Sequence, residues 1–139
     1  MNARFLRLVC LLVSVAAFAL AARAEPALLG SKELSGQTLD ANGVKAVLLG
    51  KKIMLGDSRV VIVIARAGEA QDAFLQAHVS MTTSQFQNYW RRLFMTGGGT
   101  APKIVETEVD ACKFAADTPG AIVIGDSANV TGLTVLATN

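Results

Sequence analysis

The spacing of apolar positions changes several times along the chain, and each change marks an element. Val60–Ala65 is a continuous, mostly β-branched run, the mark of a strand covered on both faces. Gly68 ends it, and good helix formers follow from Glu69. That spacing predicts a helix over Glu69–Val79 with Ala70, Ala73, Phe74 and Ala77 inward. Phe86, Tyr89, Trp90, Leu93 and Phe94 recur at i, i+3, i+4, i+7 and i+8, one wide helical stripe. Thr82 and Gln85 form a capping box in front of it. An earlier helix starts at Asp40, carries Val44, Val47 and Leu48 inward, and stops at Gly50. Thr107 caps a fourth helix running to Asp117, with Val109, Cys112 and Ala116 inward; Thr118-Pro119 ends it. Ala27–Gly30, Ala121–Ile124 and Leu133–Ala137 complete the strands, and Gly97–Thr100 reads as a linker. Strands alternating with helices give an α/β class with a mixed sheet.

Residues 1–24 stand apart from this pattern. Arg4 and Arg7 are followed by the uncharged apolar run Leu8–Leu20 and by Ala22-Arg23-Ala24, a small-x-small cleavage pattern. The expected mature chain is one domain over residues 25–139, exported to the periplasm. The leader changes the charge picture too. The full chain has 13 Lys and Arg against 11 Asp and Glu. Three of the basic residues (Arg4, Arg7 and Arg23) lie in the leader, so the remainder is slightly acidic. That composition gives no electrostatic basis for binding nucleic acid. Cys112 is the only cysteine after the leader, which excludes an internal disulfide.

The candidate chemistry is sparse. The crevice beyond a strand's carboxyl end is where ligands sit in open α/β sheets, and a helix N-terminus there offers free N–H groups to an anion. On this basis the candidate ligand-binding residues are Arg66, Gly68, Glu69, Ala70 and Gln71. Glu69 is favoured by the helix dipole and stands where an anion would bind. Arg66 has two open roles, pairing with Glu69 or holding a ligand, and pairing is the favoured one. Lys51-Lys52 reads as a solvated helix end or a patch for an acidic partner. His78, the only histidine, has no metal-ligand partner in spacing, and no metal or cofactor is expected. His78 and Cys112 fall on different helices, so no nucleophile–base–orienter set is legible and an enzyme is not expected.

Several segments together resemble phosphate-type periplasmic solute-binding proteins. Leu48-Leu49-Gly50-Lys51 looks like their Phe-Leu-Gly-Lys helix end. Tyr89-Trp90, Phe94 and Gly97 look like their Tyr-Trp-x-x-x-Phe-x-Gly segment. Thr118-Pro119-Gly120-Ala121-Ile122 is similar to their Thr-Pro-Gly-Ala-Ile. The resemblance implies a single lobe of a two-lobed, periplasmic-binding-protein type II-like fold. It also implies a small phosphate-like oxyanion as ligand, and a protein partner or membrane transporter complex. The sequence departs from the family at the ligand loop, where Glu69-Ala70-Gln71 stands in the place of Ser-Gly-Thr, at Met54-Leu55, where a Trp is usual, and at Val123-Ile124, where Gly-Tyr is. Two functions follow as expectations. One is a solute-binding-like protein with weak or altered oxyanion binding. The other is a ligand-free interaction module built on one lobe.

Overall fold

A computed structural model describes residues 25–129 and 131–138; the expected leader lies outside them. The chain runs β1 (Pro26–Ser31), a 3₁₀ turn, α1 (Ala41–Leu48), the hairpin β2 (Met54–Leu55) and β3 (Ser58–Arg59), and β4 (Val61–Ala65). Then come α2 (Glu69–Val79), α3 (Thr83–Met95), β5 (Lys103–Val105), α4 (Glu108–Ala116), β6 (Ala121–Asp126), a second 3₁₀ turn and β7 (Leu133–Thr138). Five strands form one mixed sheet in the order β5-β4-β6-β1-β7. β4 is parallel to β5 and β6, while β1 is antiparallel to β6 and β7. The middle strand is β6, with β4 beside it.

Two crossovers fix the layers. The chain leaves β4, returns as β5 on one side, then returns as β6 on the other. Right-handed crossovers in opposite directions place their helices on opposite faces. One face therefore packs α1, α2 and α3 on Leu28, Ile62, Ile64, Ile122 and Ile124. The other packs α4 on Ala27, Leu29, Val63, Ala121 and Val123. Alternate residues of β4 feed the two cores, so its whole run is apolar.

Caps hold the helix ends where the sequence places them. Asp40 accepts from the Gly43 N–H at 2.7 Å. Thr82 and Gln85 make the reciprocal capping box, and Thr107 accepts from Asp110 at 3.1 Å. At the end of α1, Gly50 has φ +77°. The Lys51 N–H reaches the Ala46 carbonyl and the Gly50 N–H the Val47 carbonyl, a Schellman closure.

The inward faces differ from expectation in three helices. In α2 the buried set is Ala70, Gln71, Phe74, Leu75 and Val79, while Ala73 and Ala77 are exposed. The helix is rotated because Gln71, a polar residue, is anchored inward. In α3, Phe86 and Trp90 are buried but Phe94 is 56% exposed. Phe94 and Ile104, a residue of the edge strand β5 that is itself 45% exposed, border one open pocket there. In α4, Val109 is 58% exposed, Cys112 and Ala116 are half-buried, and Ala111 and Ala115 are fully buried. Small side chains there let α4 lie close on a sheet face that is itself lined by alanine and valine.

Candidate ligand crevice

β4 and β5 are neighbours whose following helices lie on opposite faces of the sheet. The crevice beyond their carboxyl ends is the point where such folds place a ligand. α2 and α4 both begin there.

α2 has no cap from its own N-cap residue, Gly68. Its cap comes from α4: Glu108 Oε1 accepts from the Gln71 N–H at 2.8 Å. A Cβ at position 68 would displace the Glu108 carboxylate from its present place, so it is space rather than backbone angle that favours glycine while the cap is made. The positive end of α2 is thus occupied by a resident carboxylate. Such an anion is stabilised by the dipole and by a charge-assisted hydrogen bond.

The side chain of Gln71 is fully buried. It mimics a neighbouring strand toward Ala65: the Ala65 N–H donates to Oε1 at 2.9 Å, and Nε2 donates to the Ala65 carbonyl at 2.9 Å. Nε2 also donates to Thr83 Oγ1 at 3.1 Å, and the Thr83 hydroxyl donates to Asp72. This closed network ties the end of β4 to the starts of α2 and α3, and leaves Gln71 no free polar atom for a ligand.

Arg66 pairs with Glu106, not Glu69: Nε lies 2.8 Å from Oε1, with side chains 69% and 74% exposed. At that exposure the pair is worth ~0–1 kcal/mol. Glu69 is exposed on the first turn of α2, and Ala70 is buried. The five candidate residues therefore share one turn, but only Arg66 and Glu69 present side chains outward. Glu106 and Glu108 were not legible as site residues. Thr107-Glu108 reads as an ordinary helix start, and nothing local signals that Glu108 caps a helix 37 residues away.

Glu108 also borders a 590 Å³ cavity between α4 and the end of β6. Glu108, Asp117 and Asp126 line it against a single cation, Lys113. Cys112 lies on its wall, and burial, then the negative charge of Glu108, push the thiol's pKa up. A protonated thiol is a poor nucleophile. His78 stacks on Phe74 with ring centroids 4.1 Å apart, and burial lowers its pKa. Among the described residues no three His, Cys, Asp or Glu side chains are grouped to hold a metal. No described helix is long and apolar enough to cross a membrane.

No protein-family model matches the sequence, and no curated protein sequence does either. Solved structures do. A Clostridium perfringens protein assigned to the phosphate ABC transporter substrate-binding proteins, crystallised with bound phosphate, superposes with a TM-score of 0.62 at 14% identity. The match covers 81% of this chain and 44% of that one. An ABC-type phosphate transport receptor from Vibrio cholerae gives a TM-score of 0.58 at 8% identity, covering 81% and 45%. At such identities the likeness shows the fold alone: a mixed α/β sheet flanked by helices, as in part of each of these two proteins. The chain matches less than half the length of either neighbour.

Proposed function

We propose that this chain is an exported lobe of the solute-binding fold that serves as an interaction module, its anion position filled from within by Glu108. The observation that carries this reading is the 2.8 Å bond from the Gln71 N–H to Glu108 Oε1. Both structural neighbours are named for phosphate transport; here the turn after β4 reads Glu69-Ala70-Gln71, without hydroxyls, and its helix start is capped by Glu108. The cavity that Glu108 borders is also lined by Asp117 and Asp126, whose charge disfavours an oxyanion there. Weak oxyanion binding is the second reading, favoured by the exposed guanidinium of Arg66 at the mouth. A membrane transporter is then a partner only if a ligand is bound.

Calorimetry with inorganic phosphate on the wild type and on Glu108→Ala tests the choice. The module reading expects no heat from the wild type at millimolar phosphate, and weak binding once the carboxylate is gone. Micromolar binding by the wild type would overturn it. Export is tested by intact mass: protein recovered outside the cytoplasm should begin at Glu25, and a retained leader would contradict that.

A further inference from the structure

The opposite end of β4 carries a second cavity, of 210 Å³, that has no part in the crevice. Its floor is apolar and buried: Val47 from α1, Ile62 from β4 and Trp90 from α3. Its rim carries two cations, Lys52 after α1 and Arg59 on β3, and no carboxylate is among the residues lining it. Both cations are exposed. The ion pair found among the described residues is Arg66–Glu106, at the far end of the strand, so neither rim cation is neutralised.

The aromatic wall is held in place by the fold. Trp90 Nε1–H donates to the Leu48 carbonyl at 3.0 Å. The indole lies against Gly50, where a Cβ would stand 2.6 Å from Cη2, and beside Gly99, where one would stand 3.6 Å from Cζ3. Two glycines at positive φ thus bring the backbone up to the ring and leave the space beside it open. Gly98-Gly99-Thr100, read from sequence as a linker, forms the third wall.

We propose that this cavity binds a small monocarboxylate with a compact apolar body. The walls suit an apolar group, and the paired positive rim suits one anionic head, with the planar Arg59 fork able to hold two carboxylate oxygens. At roughly 30 Å³ per water, the 210 Å³ volume holds several waters, whose release on burying an apolar body drives entry. A free phosphate gains little from such walls, because it presents no apolar surface. This site is independent of the crevice reading above.

Trp90 is the only tryptophan of the chain; it lines this cavity and a smaller one beside Phe94 and Ile104, and the loss of response in the rim variant assigns the signal to this cavity. The experiment titrates cyclohexanecarboxylate, the neutral cyclohexanecarboxamide and inorganic phosphate at constant ionic strength. Saturable change is expected with the carboxylate only, in the millimolar range. The double variant Lys52→Ala/Arg59→Ala should bind at least tenfold more weakly, about 1.4 kcal/mol, with unchanged circular dichroism. Lys45→Ala, a lost cation on α1 outside the cavity, should bind as the wild type does. Absence of a saturable response, an equal response to the amide or to phosphate, or undiminished binding by the double variant would overturn the proposal. The phosphate calorimetry on Glu108→Ala is unaffected by any of these results.

Discussion

The indole of Trp90 donates to the carbonyl of Leu48 at 3.0 Å, closing a contact across 42 residues of chain. Tyr89 adds a second bond, its hydroxyl donating to the Leu49 carbonyl at 2.6 Å. The last carbonyls of a helix have no partner within it. Here α3 supplies partners for the end of α1, while Gly50 lets the ring approach. The Leu-Leu-Gly-Lys and Tyr-Trp segments, read separately in sequence, are thus two halves of one joint.

Removing that joint should be costly. Trp90→Ala is expected to destabilise by ~3–5 kcal/mol, from lost burial and the cavity left behind. Trp90→Phe keeps most of the apolar contact but strands the Leu48 carbonyl, and should cost about 1–3 kcal/mol. Urea unfolding of both variants measures this. A loss under about 1 kcal/mol for Trp90→Ala would show that the ring is not a core anchor.

Gln71 is the corresponding anchor at the other end of β4. Gln71→Leu keeps the volume but leaves the Ala65 N–H and carbonyl without partners. It should cost roughly 2–4 kcal/mol and speed amide exchange at Ala65. Unchanged protection at Ala65 would contradict the network. The same geometry predicts that putting Ser-Gly-Thr in place of Glu69-Ala70-Gln71 loosens the fold rather than restoring an anion loop, because position 71 faces the core. Differential scanning calorimetry of that triple variant should show a lower Tm.

His78 gives a pH dependence. Its Nε2 is buried without a hydrogen-bond partner among the described residues, and burial holds its pKa below the ordinary 6.5. The unfolded chain therefore takes up this proton at higher pH than the folded one. Stability from this group is level well above 6.5 and falls as pH drops through the unfolded value. His78→Phe keeps the stack on Phe74 and removes the titration. Tm curves of wild type and variant between about pH 8 and 5 should diverge toward acid, with the wild type falling faster. Parallel curves would contradict this.

The α/β class, the strand Val60–Ala65, the capped helix starts and the Gly50 stop were legible because each rests on neighbours in sequence. Asp40 and Gly43, or Thr82 and Gln85, lie within one turn. The edge strand β5 was missed because three residues after a proline carry no periodicity. The face of α2 was misread because hydrophobicity alone ranks Ala73 above Gln71, and that of α4 because it ranks Val109 above Ala111. Gln71 is inward because the end of β4 needs partners for Ala65, and a linear pattern does not show that need. The five candidate residues do fall together after β4, but the carboxylate bonded to the start of α2 is Glu108 rather than Glu69. A carboxylate brought from another helix by the sheet's crossover is a tertiary fact.

The central claim is that Glu108 occupies the N-terminus of α2, and the Gln71 amide is the atom that reports on it. Its resonance should be followed by NMR while phosphate is added to the wild type and to Glu108→Ala. The account predicts that the wild-type signal stays fixed through millimolar phosphate. In the variant it should start from a different shift and move saturably as phosphate takes the vacated place. A wild-type Gln71 amide that moves saturably at micromolar phosphate would show an open, working anion site and contradict the account.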